Sequence, residues 1–381
     1  MRRLSLLAVL SAGVFLTSFP AQGGSKPAVT GVSVAQLEET LGASHAEGDG
    51  DLAQRLSTLE LTERMSTSQL ARLSMALPGE KSRLALMLLA DRSAFLDPPA
   101  GEIPPDPTPD AGTTRQMLVH IVNYVNTTLR QLPNLIASRE ITSFEDRPAE
   151  DVLDANGVVG FSYEPLHYVG KSVNDVTFRD RKEFVEDAPR KDRHGQVGGL
   201  VTKGEFGPIL SIVVGDALKG KIVWGRWERA ASGNVAVFRY TVPEDKSNYR
   251  VQFCCVPGGQ DESSGQTQMR IFDAQASYHG EITFNPNDGS ILRMTLQADM
   301  PSTGLVPSAG IAIDYGMVEI AGRQVICPTR SVSSLQAHTA QQQGMASQAI
   351  YHGATKTFLN DIVFDHYRRF GSESRILTGA N

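Results

Sequence analysis

The sequence predicts an α+β protein: an N-terminal helical region followed by an antiparallel β half-barrel, that is, a curved sheet packed on one long helix. Three observations predict it. Apolar residues recur at helical spacing up to about residue 96. A proline-rich stretch follows. From about residue 136 the apolar period falls to two, with short turns between the runs.

The chain has 381 residues, 41% of them hydrophobic and 20% charged, which is ordinary globular composition with enough apolar material for a core. It begins Met1-Arg2-Arg3, runs apolar from Leu4 to Phe19, and reaches small residues at Ala21-Gln22-Gly23. Charged, apolar and small-residue regions in that order form a secretory signal peptide, expected over residues 1–23. The run falls short of the roughly 20 apolar residues of a membrane span. No cysteine follows it as a lipidation site. A periplasmic or secreted protein without a transmembrane segment in its mature part is therefore expected. The formal net charge of -6 argues against nucleic acid as a partner, because phosphate binding needs clustered Lys and Arg.

Residues 24–96 read as helices. Leu59, Leu61, Met65, Leu70, Leu73 and Leu77 make a broken stripe, and Glu80 to Phe95 carries Leu84, Ala85, Leu88 and Leu89 at helical spacing. A small packed core explains these leucines more simply than a partner groove. Six prolines (Pro98, Pro99, Pro104, Pro105, Pro107 and Pro109) make residues 97–112 an extended linker and domain boundary.

Thr113 opens the long helix, with Met117, Leu118, Ile121, Val122, Val125 and Leu129 on one face, and Pro133 closes it. Residues 113–375 form the helix-plus-sheet domain, and 376–381 a tail. Strands are expected at Ile136–Phe144, Ile209–Val214, Lys221–Arg229, Val235–Val242, Tyr249–Cys255, Ala276–Asn285, Ile291–Ala298, Ile311–Ile320, Arg323–Leu335 and Phe358–Arg369. The polar segment Gln336–Gln348 reads as a loop. Turns at Asn285–Gly289 and Ala321-Gly322 are too short for anything but antiparallel pairing. A half-barrel plugged by the helix would leave a concave apolar cavity, the default ligand site.

Motifs for catalysis are missing. There is no Gly-x-Ser-x-Gly elbow, no phosphate-binding glycine loop and no His-Glu-x-x-His, and the eight histidines are scattered. No catalytic, metal or cofactor-binding residue is assigned, and no cofactor is expected. His120 reads as a packed residue. The mixed-charge run from Asp180 to Arg193 reads as a solvated hairpin tip. The candidate cavity-lining residues are Trp224, Trp227, Tyr278, His279 and Glu281. The two tryptophans fall on opposite faces of a regular strand, unless Gly225 hosts a bulge. His279 and Glu281 share a sheet face and could share a proton, although a cross-strand polar pair is the simpler account.

Three cysteines are present: Cys254, Cys255 and Cys327. Export permits a disulfide, and the odd count leaves one thiol over. Alternation points Cys255 and Cys327 inward, where a bridge would close a loop of about 70 residues worth roughly 4 kcal/mol. A vicinal Cys254–Cys255 bridge and unbridged buried thiols stay open as alternatives.

Several stretches resemble an uncharacterised family of exported proteins from Gram-negative soil bacteria. They include Leu59-Glu60-Leu61-Thr62-Glu63-Arg64, Gly204-Glu205-Phe206-Gly207-Pro208-Ile209-Leu210, Tyr278-His279-Gly280-Glu281-Ile282, Tyr315-Gly316-Met317-Val318-Glu319-Ile320 and Phe370-Gly371-Ser372-Glu373-Ser374. The order of signal peptide, helix and long meander also resembles the half-barrel of outer-membrane lipoprotein carriers of the LolA/LolB type. A helix and meander without catalytic residues point to a non-enzymatic envelope protein binding an apolar ligand, a lipid or a lipidated protein, in the half-barrel. A protein–protein interaction module of the envelope and a hydrolase with an unrecognised site are the alternatives.

Overall fold

The fold is given by a computed structural model, which describes residues 29–43, 47–153, 159–185, 200, 203–230, 233–260, 267–341 and 351–370. The expected signal peptide, the expected tail and most of the mixed-charge run lie outside the described residues.

The N-terminal unit contains β1 (Thr30–Val32), α1 (Val34–Gly42), α2 (Asp49–Ser57), β2 (Leu59–Leu61), α3 (Thr67–Met75) and α4 (Glu80–Arg92). Strands β1 and β2 pair in parallel. Ser33 and Ser66 start α1 and α3 through capping boxes with Gln36 and Gln69, so that two orphan N–H groups at each start are satisfied. Gly79 gives α4 no side-chain cap. Asp49 of α2 supplies one instead, accepting from the backbone N–H groups of Lys81 (3.1 Å) and Ser82 (2.9 Å). Leu37, Leu52, Leu56, Leu73, Leu86 and Leu89 form the centre of this unit's own core.

The larger unit opens with α5 (Ala111–Asn123), whose first turn is capped by the Asp110 carboxylate. Its strands are β3 (Leu135–Leu153), β4 (Val159–Arg179), β5 (Lys182–Val185), β6 (Lys221–Ala230), β7 (Gly233–Val242), β8 (Arg250–Gln260), β9 (Thr267–Gln275), β10 (Tyr278–Phe284), β11 (Ile291–Ala298), β12 (Ser308–Ile320), β13 (Arg323–Gln341) and β14 (Tyr351–Arg369). Ten of them form one antiparallel sheet in the order β5-β4-β3-β14-β13-β12-β11-β10-β7-β6. The sheet is open, with β5 and β6 at its edges. Strands β8 and β9 pair only with each other. Their hairpin rests on the sheet through Val251 and Phe253, packed with Ala309 and Leu335.

The architecture departs from a half-barrel on one helix in two ways. A second helix, α6 (Pro208–Ala217), occupies the stretch where β-branched residues predicted a strand at Ile209–Val214. Gly207, at φ +141°, turns the chain, and Pro208 follows at the first helical position. A short apolar run has the same composition whether it is a core strand or a buried helix. Both helices press on one sheet face, where Met117, Ile121, Leu210 and Val213 meet Phe238, Ile282, Met294 and Ile313. The second departure is on the opposite face, which carries the N-terminal unit. The linker between the units is pinned to β6 and β7 rather than free. Pro107 O accepts from Trp227 Nε1 (3.0 Å), and Asp106 accepts from Asn234 Nδ2 (2.6 Å).

Two turns follow the expected chemistry. Ala321 and Gly322, both at positive φ, close the two-residue hairpin between Ile320 and Arg323. Gly289, at φ +74°, lies so close to the α5 backbone that an added Cβ would stand 2.2 Å from the His120 carbonyl carbon. The loop Gln336–Gln348 is a correction: β13 continues through its first half to Gln341.

Candidate functional site

Residues of the N-terminal unit reach the sheet mainly through charge. Arg64 donates to Glu228 (2.8 Å), and both are buried. Arg226 lies between Glu228 (2.6 Å) and Glu281 (2.6 Å) and also reaches Asp97 (3.0 Å). Asp314 is held by Arg293 and accepts from Thr67 Oγ1 (2.8 Å). Arg330 binds the buried Asp91 of α4 and donates through Nε to Asp361 (2.7 Å). Burial and the neighbouring Asp361 carboxylate push Asp91 well above the usual carboxylate range, against the pull of Arg330. Burial alone would also raise Glu281, but the hydrogen bonds and charges of Arg226 and Arg239 outweigh it and hold that carboxyl low.

These polar anchors lie along β6 and β10 to β14. Farther along the same face, toward β3 and β4, the two units do not close on each other. A cavity of about 850 Å³ separates them. Leu84 and Leu88 of α4, with Leu56 of α2, form one wall. Phe144 of β3, Leu166 and Tyr168 of β4, and Leu359 of β14 form the other. Phe95 lines it as well, Lys81, Arg92, Glu60 and Asp146 supply charge, and His167 adds a polar ring. The volume is within the usual range for ligand sites, and an apolar lining with a few polar groups is their usual chemistry. Helix α4 explains how the cleft arises. Its run Leu84-Ala85-Leu86-Met87-Leu88-Leu89-Ala90 is apolar all round. Leu86 and Leu89 fill the unit's core, whereas Leu84 and Leu88 are turned toward the cleft.

None of the five residues predicted to line a cavity touches this cleft. Gly225 does host a bulge, between Trp224 and Arg226 in the pairing with β7. The bulge turns both tryptophans onto the α5/α6 face, where their ring centroids lie 4.8 Å apart. An added Cβ at Gly225 would stand 2.9 Å from Val237 O. The Gly225→Ala variant is therefore expected to lose about 1–3 kcal/mol of stability in urea denaturation. A change below 0.5 kcal/mol would show that the bulge does not depend on glycine. Tyr278 is fully buried on the α5/α6 face and donates to Asp216 (3.0 Å). His279 and Glu281 share the opposite face but not a proton: His279 is paired with Asp299 (2.7 Å) and Glu281 with Arg226 and Arg239.

The cysteines also correct the expected bridge. Cys254 is bonded to Cys255, and Cys327 is a buried free thiol. The two inward faces belong to different parts of the core. Cys255 is on the separate β8–β9 hairpin, while Cys327 packs with Leu135, Phe178, Ile320 and Phe364 beside the β3 end of the sheet. Burial pushes the Cys327 thiol up to about 12.

No family model matches the chain, and neither a curated protein nor a solved structure matches it. Among the described residues no helix is long and apolar enough to cross a membrane.

Proposed function

We propose that this is an exported, non-enzymatic envelope protein that holds an apolar chain, from a lipid or a lipidated polypeptide, in the cleft between its helical unit and its sheet. The 850 Å³ apolar cleft with charged residues in its walls carries this reading. It keeps the ligand class expected of a lipoprotein-carrier-like protein and changes the place: the ligand lies between the units, not in a concavity plugged by α5. Each methylene buried there contributes about 0.8 kcal/mol. The charged residues suit a headgroup that stays in water while the chain is buried.

Titration with 11-(dansylamino)undecanoic acid tests the reading. Saturable binding with a blue shift is expected. Leu88→Trp, which fills the cleft from the exposed side of α4, should weaken binding at least about tenfold, equivalent to roughly 1.4 kcal/mol. Far-UV dichroism should stay unchanged, because Leu88 is outside the unit's own core. Equal affinity in the two proteins removes the cleft as the site. A protein that binds no chain and instead co-purifies with a stoichiometric polypeptide partner would favour the interaction-module reading.

A further inference from the structure

A second cavity, of about 380 Å³, lies on the α5/α6 side of the sheet. It is roofed by the β8–β9 hairpin, with α6 and strands β12 and β13 as its other walls. Ser334 of β13 belongs to the linings of this cavity and of the cleft, so the two stand back to back across one strand. The roof supplies Tyr249, Phe253 and Cys254, the last bonded to Cys255. The floor supplies Ile311 and Ser333. Ser333 is 1% exposed, and its hydroxyl has no hydrogen-bond partner among the described residues. A buried polar group left unpaired is costly, and native proteins rarely keep one without a reason. A serine hydroxyl has three staggered positions one bond from the backbone, so it can turn to a partner that arrives in the cavity.

We infer that this cavity binds a compact, neutral ring compound carrying a single hydroxyl or carbonyl. The ring would be held by Tyr249, Phe253 and the Cys254–Cys255 sulfurs, and the polar atom by Ser333. Aromatic walls and divalent sulfur both favour a flat ring. A charged ligand is disfavoured, since of the two cations at this cavity Arg250 is already paired with Asp273 (2.7 Å) and Lys203 has a partner of its own. The inference is independent of the chain-binding cleft.

The test compares 1-naphthol with naphthalene, which has the same ring without the hydroxyl, by fluorescence titration of the full chain. Saturable one-to-one binding with naphthol preferred is expected. Ser333→Ala should weaken naphthol about five- to tenfold, the usual worth of one hydrogen bond, and leave naphthalene unchanged. The substitution removes an unpaired hydroxyl, so the protein should fold. Ile271→Trp, at an exposed position of the cavity wall, should weaken both probes. Leu88→Trp should affect neither. Equal binding of the two probes, indifference to Ser333→Ala, or loss of naphthol binding on Leu88→Trp would each overturn the assignment.

Discussion

The Arg330→Met variant is expected to lose about 3–5 kcal/mol of stability and to release the helical unit from the sheet. Among the described residues, Arg330 bridges two buried carboxylates from different units: Asp91, whose side chain is 0% exposed, and Asp361, at 1%. Methionine fills similar space but leaves both acids uncompensated in a water-poor interface. The cost is the desolvation of those acids, not the lost attraction alone. Two measurements follow. Urea denaturation should show the destabilisation, and native-state proteolysis should shift to residues 33–96, since that unit loses its firmest anchor. The triple variant with Asp91→Asn and Asp361→Asn in addition should recover much of the loss, because neutral amides need no counter-charge. A single variant within 1 kcal/mol of the parent, or a triple variant no better than the single one, would mean that the triad does not hold the units together.

That triad also bears on function. The cleft exists because the units are fastened by ion pairs along one part of the sheet and kept apart along another. Close apolar packing over the whole face would have no room for a ligand. Charged anchors fix position over a small area and leave the half-buried Leu84 and Leu88 facing Phe144 and Leu359 across the cleft. The same arrangement explains what sequence patterns could and could not disclose. The period-two runs located β3, β6 to β8 and β10 to β14, because each sheet face has a defined solvent or core side and alternation follows from that, but they missed β4, β5 and β9. The α6 segment misled, because a short apolar run reads alike as a buried helix and as a core strand. The linker misled as well, because its prolines report an extended backbone and not what that backbone rests on. Leu84 and Leu88 carried a usable signal: a helix apolar all round must meet something on its second side. What it meets depends on strands β3, β4 and β14, more than 40 residues farther along the chain, and no local pattern reports that pairing. Trp224, Trp227, Tyr278, His279 and Glu281 drew attention as residue types that often serve sites. In this fold they pack or pair instead, and the deciding fact for the tryptophans is one bulge at Gly225.

Stability is expected to fall as pH rises from about 4.5 to about 8, and Glu183 is one source of that fall, beside the raised Asp91. Its carboxyl lies on β5 beside the loop that leads into α6. It accepts from the backbone N–H groups of Gly204 (2.9 Å) and Phe206 (3.2 Å). Burial, and after it the neighbouring Glu205 carboxylate, raise it to about 8, although those two hydrogen bonds and Arg139 pull the other way. In the unfolded chain the same group titrates near 4.5. Below that value the carboxyl is protonated in both states, and the contribution is fully present. Between the two values only the folded state keeps the proton. Unfolding then releases it, and stability declines by up to about 1.4 kcal/mol per pH unit. Above about 8 both states are ionised and the decline stops. Glu183→Gln cannot titrate and keeps one acceptor for the loop. It should be less stable than the parent at pH 5 and should close the gap steadily toward pH 8. Urea midpoints taken at half-unit intervals across that window decide the matter, and parallel profiles for the two proteins would exclude Glu183 as a source of the pH dependence.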